Sequence, residues 1–215
     1  MTEEGERARL RDLVRRGYDT ISMTYRSDDG QANTDSVETT ATYLGWVAEL
    51  SQLLIPAARV LDLGCGAGVP ATKALVERGF QVTGVDISAV QIGRARELVP
   101  GAYFELADMA TWDAPEESFD AVVSLYALIH VPLPDQRLLF PRIRRWLVPG
   151  GYLLAIVGSG HWRGLEPYMG AEMFWEHADT ETYLQWLPDA GLEPVWHRFI
   201  QEGDAGHTLV LARAT

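Results

Sequence analysis

Val60-Leu61-Asp62-Leu63-Gly64-Cys65-Gly66-Ala67-Gly68, followed by Pro70-Ala71-Thr72-Lys73-Ala74-Leu75-Val76, decides how this chain folds. Val60 to Leu63 predicts a short buried strand, and the glycines predict a sharp turn. Pro70 falls in the first turn of the helix that follows, where its missing N–H costs least. Glycines let a ligand approach the backbone, and the helix N-terminus behind them offers unpaired N–H groups. About twenty residues on, as such units require, Val82-Thr83-Gly84-Val85-Asp86 predicts a second strand that ends in a carboxylate. Turn, helix, strand and terminal acid form the pattern of a nucleoside-binding βαβ unit, with Asp86 on the ribose hydroxyls.

The totals fit one α/β domain. The chain has 215 residues, 47% hydrophobic and 22% charged, enough for one substantial core and too few for two large ones. Its net charge is −12, and an acidic chain repels phosphate backbones, so nucleic acid is not the expected partner. The basic runs Arg7-Ala8-Arg9-Leu10-Arg11 with Arg15-Arg16, and Arg142-Ile143-Arg144-Arg145, fall in helical patterns and read as solvated faces. A single cysteine, Cys65, forms no internal disulfide and fits a reducing cytoplasm; within the turn it reads as a small filler. The acidic N-terminus has no apolar signal core, and no run reaches the roughly 18 apolar residues of a membrane span. No metal site is expected, since neither H-E-x-x-H nor paired cysteines occur.

Along the chain, Leu10, Leu13, Val14 and Tyr18 predict an amphipathic helix over 6–18. A polar loop at 27–33 precedes a second helix from about Ser36 to Leu54, with Val37, Ala41, Leu44, Val47 and Leu54 on one face. A helix over 88–98 is N-capped by Ser88. Ala102 to Leu106 and Phe119 to Ser124 are strands, and Asp135 to Leu147 is a helix with Leu138, Leu139, Ile143 and Leu147 inward. Tyr152 to Val157 is the fifth strand. Gly158 to Ala178 reads as irregular. A helix capped by Asp179 precedes two antiparallel strands, 193–200 and 208–212.

A dinucleotide fingerprint needs G-x-G-x-x-G, but Val69 stands where the third glycine belongs. Gly64, Gly66 and Gly68 instead give G-x-G-x-G, with Asp62 two residues upstream. This D-L-G-C-G-x-G run resembles motif I of the class I S-adenosylmethionine (SAM)-dependent methyltransferases. The L-x-P-G-G-x-L-L arrangement from Leu147 resembles the approach to their fifth strand. The resemblance covers the element order over about 55–215, with motifs as far as about 158. It implies an α/β fold: a seven-stranded, mostly parallel, doubly wound sheet with one antiparallel strand. A single domain spans 1–215, with an N-terminal helical lid over 1–55 and a substrate-cap insertion over 158–179.

The resemblance also implies SAM as cofactor, with S-adenosylhomocysteine as product. Its site would comprise Asp62, Gly64, Cys65, Gly66, Gly68, Asp86, Ile87, Asp108, Met109 and Leu125. Tyr18-Asp19-x-x-Ser22-x-x-Tyr25 resembles the family's tyrosine-bearing lid, although helix packing would equally explain Tyr18 and Tyr25. Asp108 suits the adenine amino group, which needs an acceptor, and Met109 suits the flat ring. Asp62 to Gly68, Asp86, Asp108 and the stretch from Ser124 all fall at carboxyl ends of strands, where open α/β sheets bind ligands.

Methyl transfer is an in-line displacement that needs alignment and exclusion of water, and a base only for a protonated acceptor. His130, His161 and His177 are the candidate bases, with His130, after the fourth strand, as the catalytic choice. The acceptor pocket is expected from Tyr126, His161, Trp162, Tyr168, Phe174, Trp175 and His177, unless that segment is only a lid packed on the core. The expected reaction is methylation of an O or N atom of a small, partly apolar or aromatic molecule, as in natural-product tailoring. Two alternatives stay open. One is a methyltransferase-like protein that binds SAM without methylating, as a binding partner or with a repurposed pocket. The other is an NAD-dependent oxidoreductase, which would want a glycine at 69 and a Tyr-x-x-x-Lys pair.

Overall fold

A computed structural model describes residues 2–31 and 40–215. The end of the expected polar loop and the start of the expected second helix, with Val37, lie outside the described residues. The elements in order are α1 (Glu3–Tyr25), α2 (Thr40–Ser51), β1 (Arg59–Leu63), α3 (Ala71–Glu77), β2 (Gln81–Asp86), α4 (Ala89–Leu98), β3 (Tyr103–Leu106) and β4 (Phe119–Ser124). They continue through a 3-10 turn (Leu128–His130), α5 (Leu133–Trp146), β5 (Leu147–Gly158), β6 (Trp162–Tyr168), β7 (Ala171–His177), α6 (Thr180–Asp189), β8 (Leu192–Glu202) and β9 (Ala205–Ala214).

Seven strands make one sheet in the order β3-β2-β1-β4-β5-β9-β8. β1 pairs in parallel with β2 and β4, and β4 with β5. β9 runs antiparallel to both β5 and β8. The expected doubly wound sheet with one antiparallel strand is therefore the observed one. Its order reverses between β1 and β4, and that switch point leaves a crevice at the carboxyl ends of the strands.

Alternation along β1 explains the two layers. Leu61 and Leu63 face a core built with Leu139, Phe140, Ile143 and Trp146 of α5 and Tyr183 and Leu187 of α6. Val60 faces the opposite core, with Tyr43, Trp46, Val47 and Leu50 of α2 and Ala74 and Leu75 of α3. Successive side chains in a strand point to opposite faces, so a strand covered on both sides must be apolar along its length. Asp62 is the exception, on the α3 face, where the Thr72 hydroxyl donates to it at 2.6 Å.

Several local expectations need correction. α1 extends to Tyr25, with Thr2 as its N-cap. On α2 the expected Val47 is buried and Leu44 packs partly buried against the same core, as does Leu54 just beyond the helix, but Tyr43, Trp46 and Leu50 supply the rest of the inward stripe and Ala41 is exposed. On α5, Leu139 and Ile143 are buried as expected, as is Leu147 just beyond the helix, but Leu138 is 64% exposed, and Phe140 and Trp146 complete the inward face. The stretch 158–178 is not irregular. β6 and β7 pair as an antiparallel hairpin closed by Met169-Gly170, both at positive φ, the geometry of a tight two-residue turn. Gly164, Pro167 and the non-turn residue Met169 masked the strands. The hairpin packs on α1, where Phe174 joins Leu10 and Val14 in a small core.

The basic runs are also not simply solvated. Arg11 is only 5% exposed. Its Nε donates to Asp108 at 2.7 Å and its Nη1 to Asp135, which fastens α1 across the crevice. Arg142 donates to the Ala110 carbonyl at 2.7 Å, and Arg145 pairs with Asp113.

β5 hands over to the hairpin at Gly158, where an added Cβ would fall well inside van der Waals distance of His177 Nδ1 and the Ala178 carbonyl oxygen. A backbone oxygen cannot move aside cheaply. Gly158→Ala is expected to cost about 2 kcal/mol, within the range for overpacking, as a lowered urea midpoint with unchanged slope. An unchanged midpoint would show that the junction relaxes freely.

Candidate active site

The crevice is a cleft of about 660 Å³, open solvent at its mouth included, between the switch point and α1. The glycine turn forms one wall. Gly64, Gly66 and Gly68 all have positive φ, the region where a side chain is strained. A Cβ on Gly64 would overlap the Ala127 methyl group, whereas one on Gly66 would meet nothing nearer than Gln91 Nε2 at 3.9 Å. Gly66 therefore presents bare backbone to open space. Gly68 is different: its Cβ position faces Val99 and Phe104 at 3.1 and 3.2 Å, so it packs the turn against the layer behind.

Asp86 closes β2 beneath this turn. Its Oδ2 accepts from the Gly66 N–H at 2.9 Å and its Oδ1 from the Ser88 N–H at 2.8 Å. Desolvation pushes Asp86 up to about 6, against those two hydrogen bonds. Asp62 is likewise pushed up to about 6 by burial, opposed by the Thr72 hydroxyl. Burial also raises the Cys65 thiol, which keeps it protonated and unreactive.

Of the residues singled out for the cofactor, Tyr18, Tyr25, Gly64, Gly66, Asp86, Ile87, Asp108, Met109 and Leu125 line the main cleft. Asp62 and Cys65 line an adjoining recess beside the same turn, together with Arg26. Tyr126 and His130 line the cleft as well. Tyr126 holds a left-handed backbone, φ 59°, uncommon for a bulky residue. Its hydroxyl donates to Glu202 Oε1 at 2.7 Å, and His207 Nδ1 lies 3.0 Å from Glu202 Oε2. Burial would raise the Glu202 carboxyl, but His207 and Tyr126 outweigh it and hold it below its ordinary value.

His130 sits at the end of the 3-10 turn after β4. Its Nδ1 lies 2.8 Å from the Phe174 carbonyl oxygen. A carbonyl only accepts, so Nδ1 carries the hydrogen and Nε2 of the neutral ring carries the lone pair. The Tyr18 hydroxyl, 2.9 Å from Nε2, is therefore the donor. Burial lowers His130 to about 4, despite the Phe174 hydrogen bond.

The hairpin residues divide. Trp175 packs on His130 with centroids 5.3 Å apart, and Tyr168 packs on Trp175 at 5.5 Å. Phe174 is buried behind them against α1. His161 is exposed and pairs with Asp179 at 2.9 Å, and Trp162 is 46% exposed; neither lines the cleft. His177 Nδ1 donates to the Gly160 carbonyl at 2.6 Å and also stands outside it. Arg11, Val14, Gln91, Ala127 and Val131 line the cleft without having been expected to. Arg11 lay in a legible helix, but only the fold brings it 97 positions along the chain to Asp108. Among the described residues, no cluster of His, Cys, Asp and Glu is arranged to hold a metal, and no helix is long and apolar enough to cross a membrane.

Comparison with known proteins agrees with this geometry. Residues 60–151 match a family described as "Methyltransferase domain". The chain is 30% identical over 168 residues to the ubiquinone biosynthesis O-methyltransferase of Pseudomonas syringae pv. tomato, covering 70% of each. It is 42% identical over 107 residues to the trans-aconitate 2-methyltransferase of Variovorax paradoxus, covering 48% of this chain and 40% of that one. The chain spans less than half the length of most of the curated relatives it matches. The fold is shared with the Burkholderia thailandensis 1,6-didemethyltoxoflavin-N1-methyltransferase, crystallised with its namesake compound and S-adenosylhomocysteine. The TM-score is 0.71 at 22% identity, covering 100% of this chain and 91% of that one. With motif I at the mouth of this cleft and this sheet order behind it, the chain belongs to the class I SAM-dependent methyltransferases.

Proposed function

We propose that the protein transfers a methyl group from SAM to a nitrogen or oxygen atom of a small, partly apolar molecule. One observation carries the reading: the bare backbone of Gly66, the carboxylates of Asp86 and Asp108, and the Tyr18–His130 pair all face one cleft. The donor set fits the cofactor. Asp86 accepts one backbone N–H on each oxygen, leaving lone pairs for ribose hydroxyls. Asp108 and Met109 suit the adenine. In the recess, Asp62 and the buried Arg26 have the charges to meet the α-ammonium and α-carboxylate of the amino-acid end. When bound, SAM supplies a methyl carbon activated by its sulfonium.

The chain's own work is alignment and exclusion of water. α1 covers the cleft, held by Arg11 on Asp108 and by Ser88 Oγ donating to Asp19 at 2.6 Å. Tyr18 and His130 take the proton from an acceptor hydroxyl or ammonium. Tyr18 oxygen receives it while the Tyr18 hydroxyl proton passes to His130 Nε2. Tyr168 and Trp175 back this pair and belong to the acceptor side. His161, Trp162 and His177 support the hairpin that carries those rings. The lid and hairpin both fold back on the one sheet, which supports reading 1–215 as a single domain. The acidic chain favours a small molecule over nucleic acid as acceptor, and its one cysteine suits the cytoplasm.

Calorimetric titration is expected to show micromolar binding of SAM and S-adenosylhomocysteine and none of NAD. Asp86→Ala should weaken S-adenosylhomocysteine at least tenfold without lowering the melting temperature. Preferred binding of NAD would overturn the reading, and acceptor turnover separates methylation from SAM binding alone. Because Asp86 and Asp62 titrate near 6, protonation competes with a ligand that needs the carboxylates. Affinity should then fall as pH drops below about 6, and an affinity flat from pH 7 to 5 would remove these carboxylates from the site.

With an acceptor in hand, His130→Asn is expected to lower kcat by about 10² or more, the usual weight of a general base, with little change in the KM for SAM. The wild-type rate should show no histidine limb near pH 6.5, since His130 stays neutral down to about 4. Unchanged kcat in the variant would leave His130 a structural residue.

A further inference from the structure

The acceptor end of the cleft carries an arrangement that the methyltransferase reading does not require. Five rings from three parts of the chain close into a circuit. Tyr18 meets Tyr25 with centroids 5.5 Å apart, Tyr25 meets Tyr168 at 6.3 Å, and Tyr168 meets Trp175 at 5.5 Å. Trp175 meets His130 at 5.3 Å, and His130 returns to Tyr18 at 5.4 Å. A five-membered circuit with sides of this length has a centre within about 6 Å of every centroid, the reach of a cation–π contact. Tyr18, Tyr25 and His130 also line the main cleft, so the circuit borders the space an acceptor would enter.

The carboxylates that line the main cleft are engaged: Asp108 pairs with Arg11, and Asp86 holds the Gly66 and Ser88 N–H groups and, in the proposed reading, the ribose. The charged residues lining the main cleft are Arg11, Asp86 and Asp108. The Arg11 guanidinium is committed to Asp108, Asp135 and Glu4. Arg26, in the recess, lies over the Tyr25 ring at 5.2 Å and over Tyr43, outside the circuit, at 4.9 Å, so Tyr25 already carries a cation and the other four rings are those a ligand would use. Behind Tyr126, the ionised Glu202 accepts the phenol's hydrogen bond. An acceptor bearing carboxylate or phosphate would meet carboxylates and ring faces here, with no uncommitted cation among the cleft-lining residues described.

We propose that this end of the cleft selects a cationic nitrogen that still carries a proton: a protonated amine on a flat or apolar frame, held by the ring circuit. The proposal rests on the methyltransferase reading for the identity of the neighbouring site. It deepens that reading from an O or N acceptor to an amine. A protonated amine becomes nucleophilic when it gives its proton to Tyr18 as Tyr18 gives its own to His130.

The test uses three probes of matched shape: phenyltrimethylammonium, its uncharged isostere tert-butylbenzene, and anionic benzenesulfonate. Each is titrated by tryptophan fluorescence and calorimetry against the full chain, with and without S-adenosylhomocysteine. The cation is expected to bind at least tenfold more tightly than the isostere, and the anion more weakly than either. Trp175→Leu and Tyr168→Leu should bring cation and isostere within about threefold of each other while S-adenosylhomocysteine affinity stays within twofold. Equal binding of cation and isostere in the wild type, preference for the anion, or no binding of the cation would each overturn the proposal. The probe ratios are read without cofactor too, so a failure of S-adenosylhomocysteine to bind counts against the methyltransferase reading alone.

Discussion

Burial of the central strands on both faces is the constraint on which the rest of the structure depends. β1 and β4 are apolar on both sides because α2 and α3 cover one face and α5 and α6 the other. A strand sealed in this way offers chemistry only at its end. The polar residues proposed to act therefore collect along one rim of the sheet, where each chain segment leaves β1, β2, β3 or β4 and must turn. Asp62, Asp86, Asp108 and His130 lie far apart in sequence and still share that rim. Layer packing supplies the site's precision, and the turns supply its functional groups.

That rim holds its ionisable groups away from their ordinary behaviour, in opposite directions. Asp62 and Asp86 titrate near 6 in the folded chain against 3.8 normally. Between those values the folded state holds the extra protons, so their contribution to stability declines as pH rises through that window. His130 titrates near 4 against 6.5. There the unfolded chain holds the extra proton, and stability declines as pH falls through the window. Each carboxylate holds neighbouring hydrogen bonds yet remains uncompensated by any positive charge among the described residues. In the proposed reading a ligand with hydroxyls or positive charge relieves both, and shifted groups of this kind concentrate at functional sites.

Much of this was legible in the sequence because it is local. The glycine turn, the Ser88 and Asp179 caps, β4 and the alternation of elements follow from spacing and backbone preference within a few residues. Asp86 and Asp108 were legible because strand ends are. What escaped is non-local or disguised. The β6–β7 hairpin hid behind Gly164, Pro167 and a turn with methionine at its first position, where no turn signal is read. Leu138 of α5 was wrongly read as inward beside Leu139, because the two are equivalent in composition and only the packing partner chooses between them. Glu202 and His207 sit beside Tyr126 because β9 is inserted antiparallel next to β5, a register that no local pattern encodes. Gly68 belonged to the motif yet serves the layer behind the cleft, because shared backbone geometry does not mean a shared facing.

Arg11 has a consequence for how such a chain can change. It is buried with Asp135 and bonded to Asp108 at the rim, and removing one partner of a buried pair leaves the others as uncompensated charge, a heavier loss than removing all together. The three positions lie on α1, on the loop after β3 and in α5, with nothing local to tie them. Descent would nonetheless bind them into one inherited unit. Among related chains they are expected to be kept or replaced together, leaving in an alignment a correlated trio that links the lid to the sheet it covers.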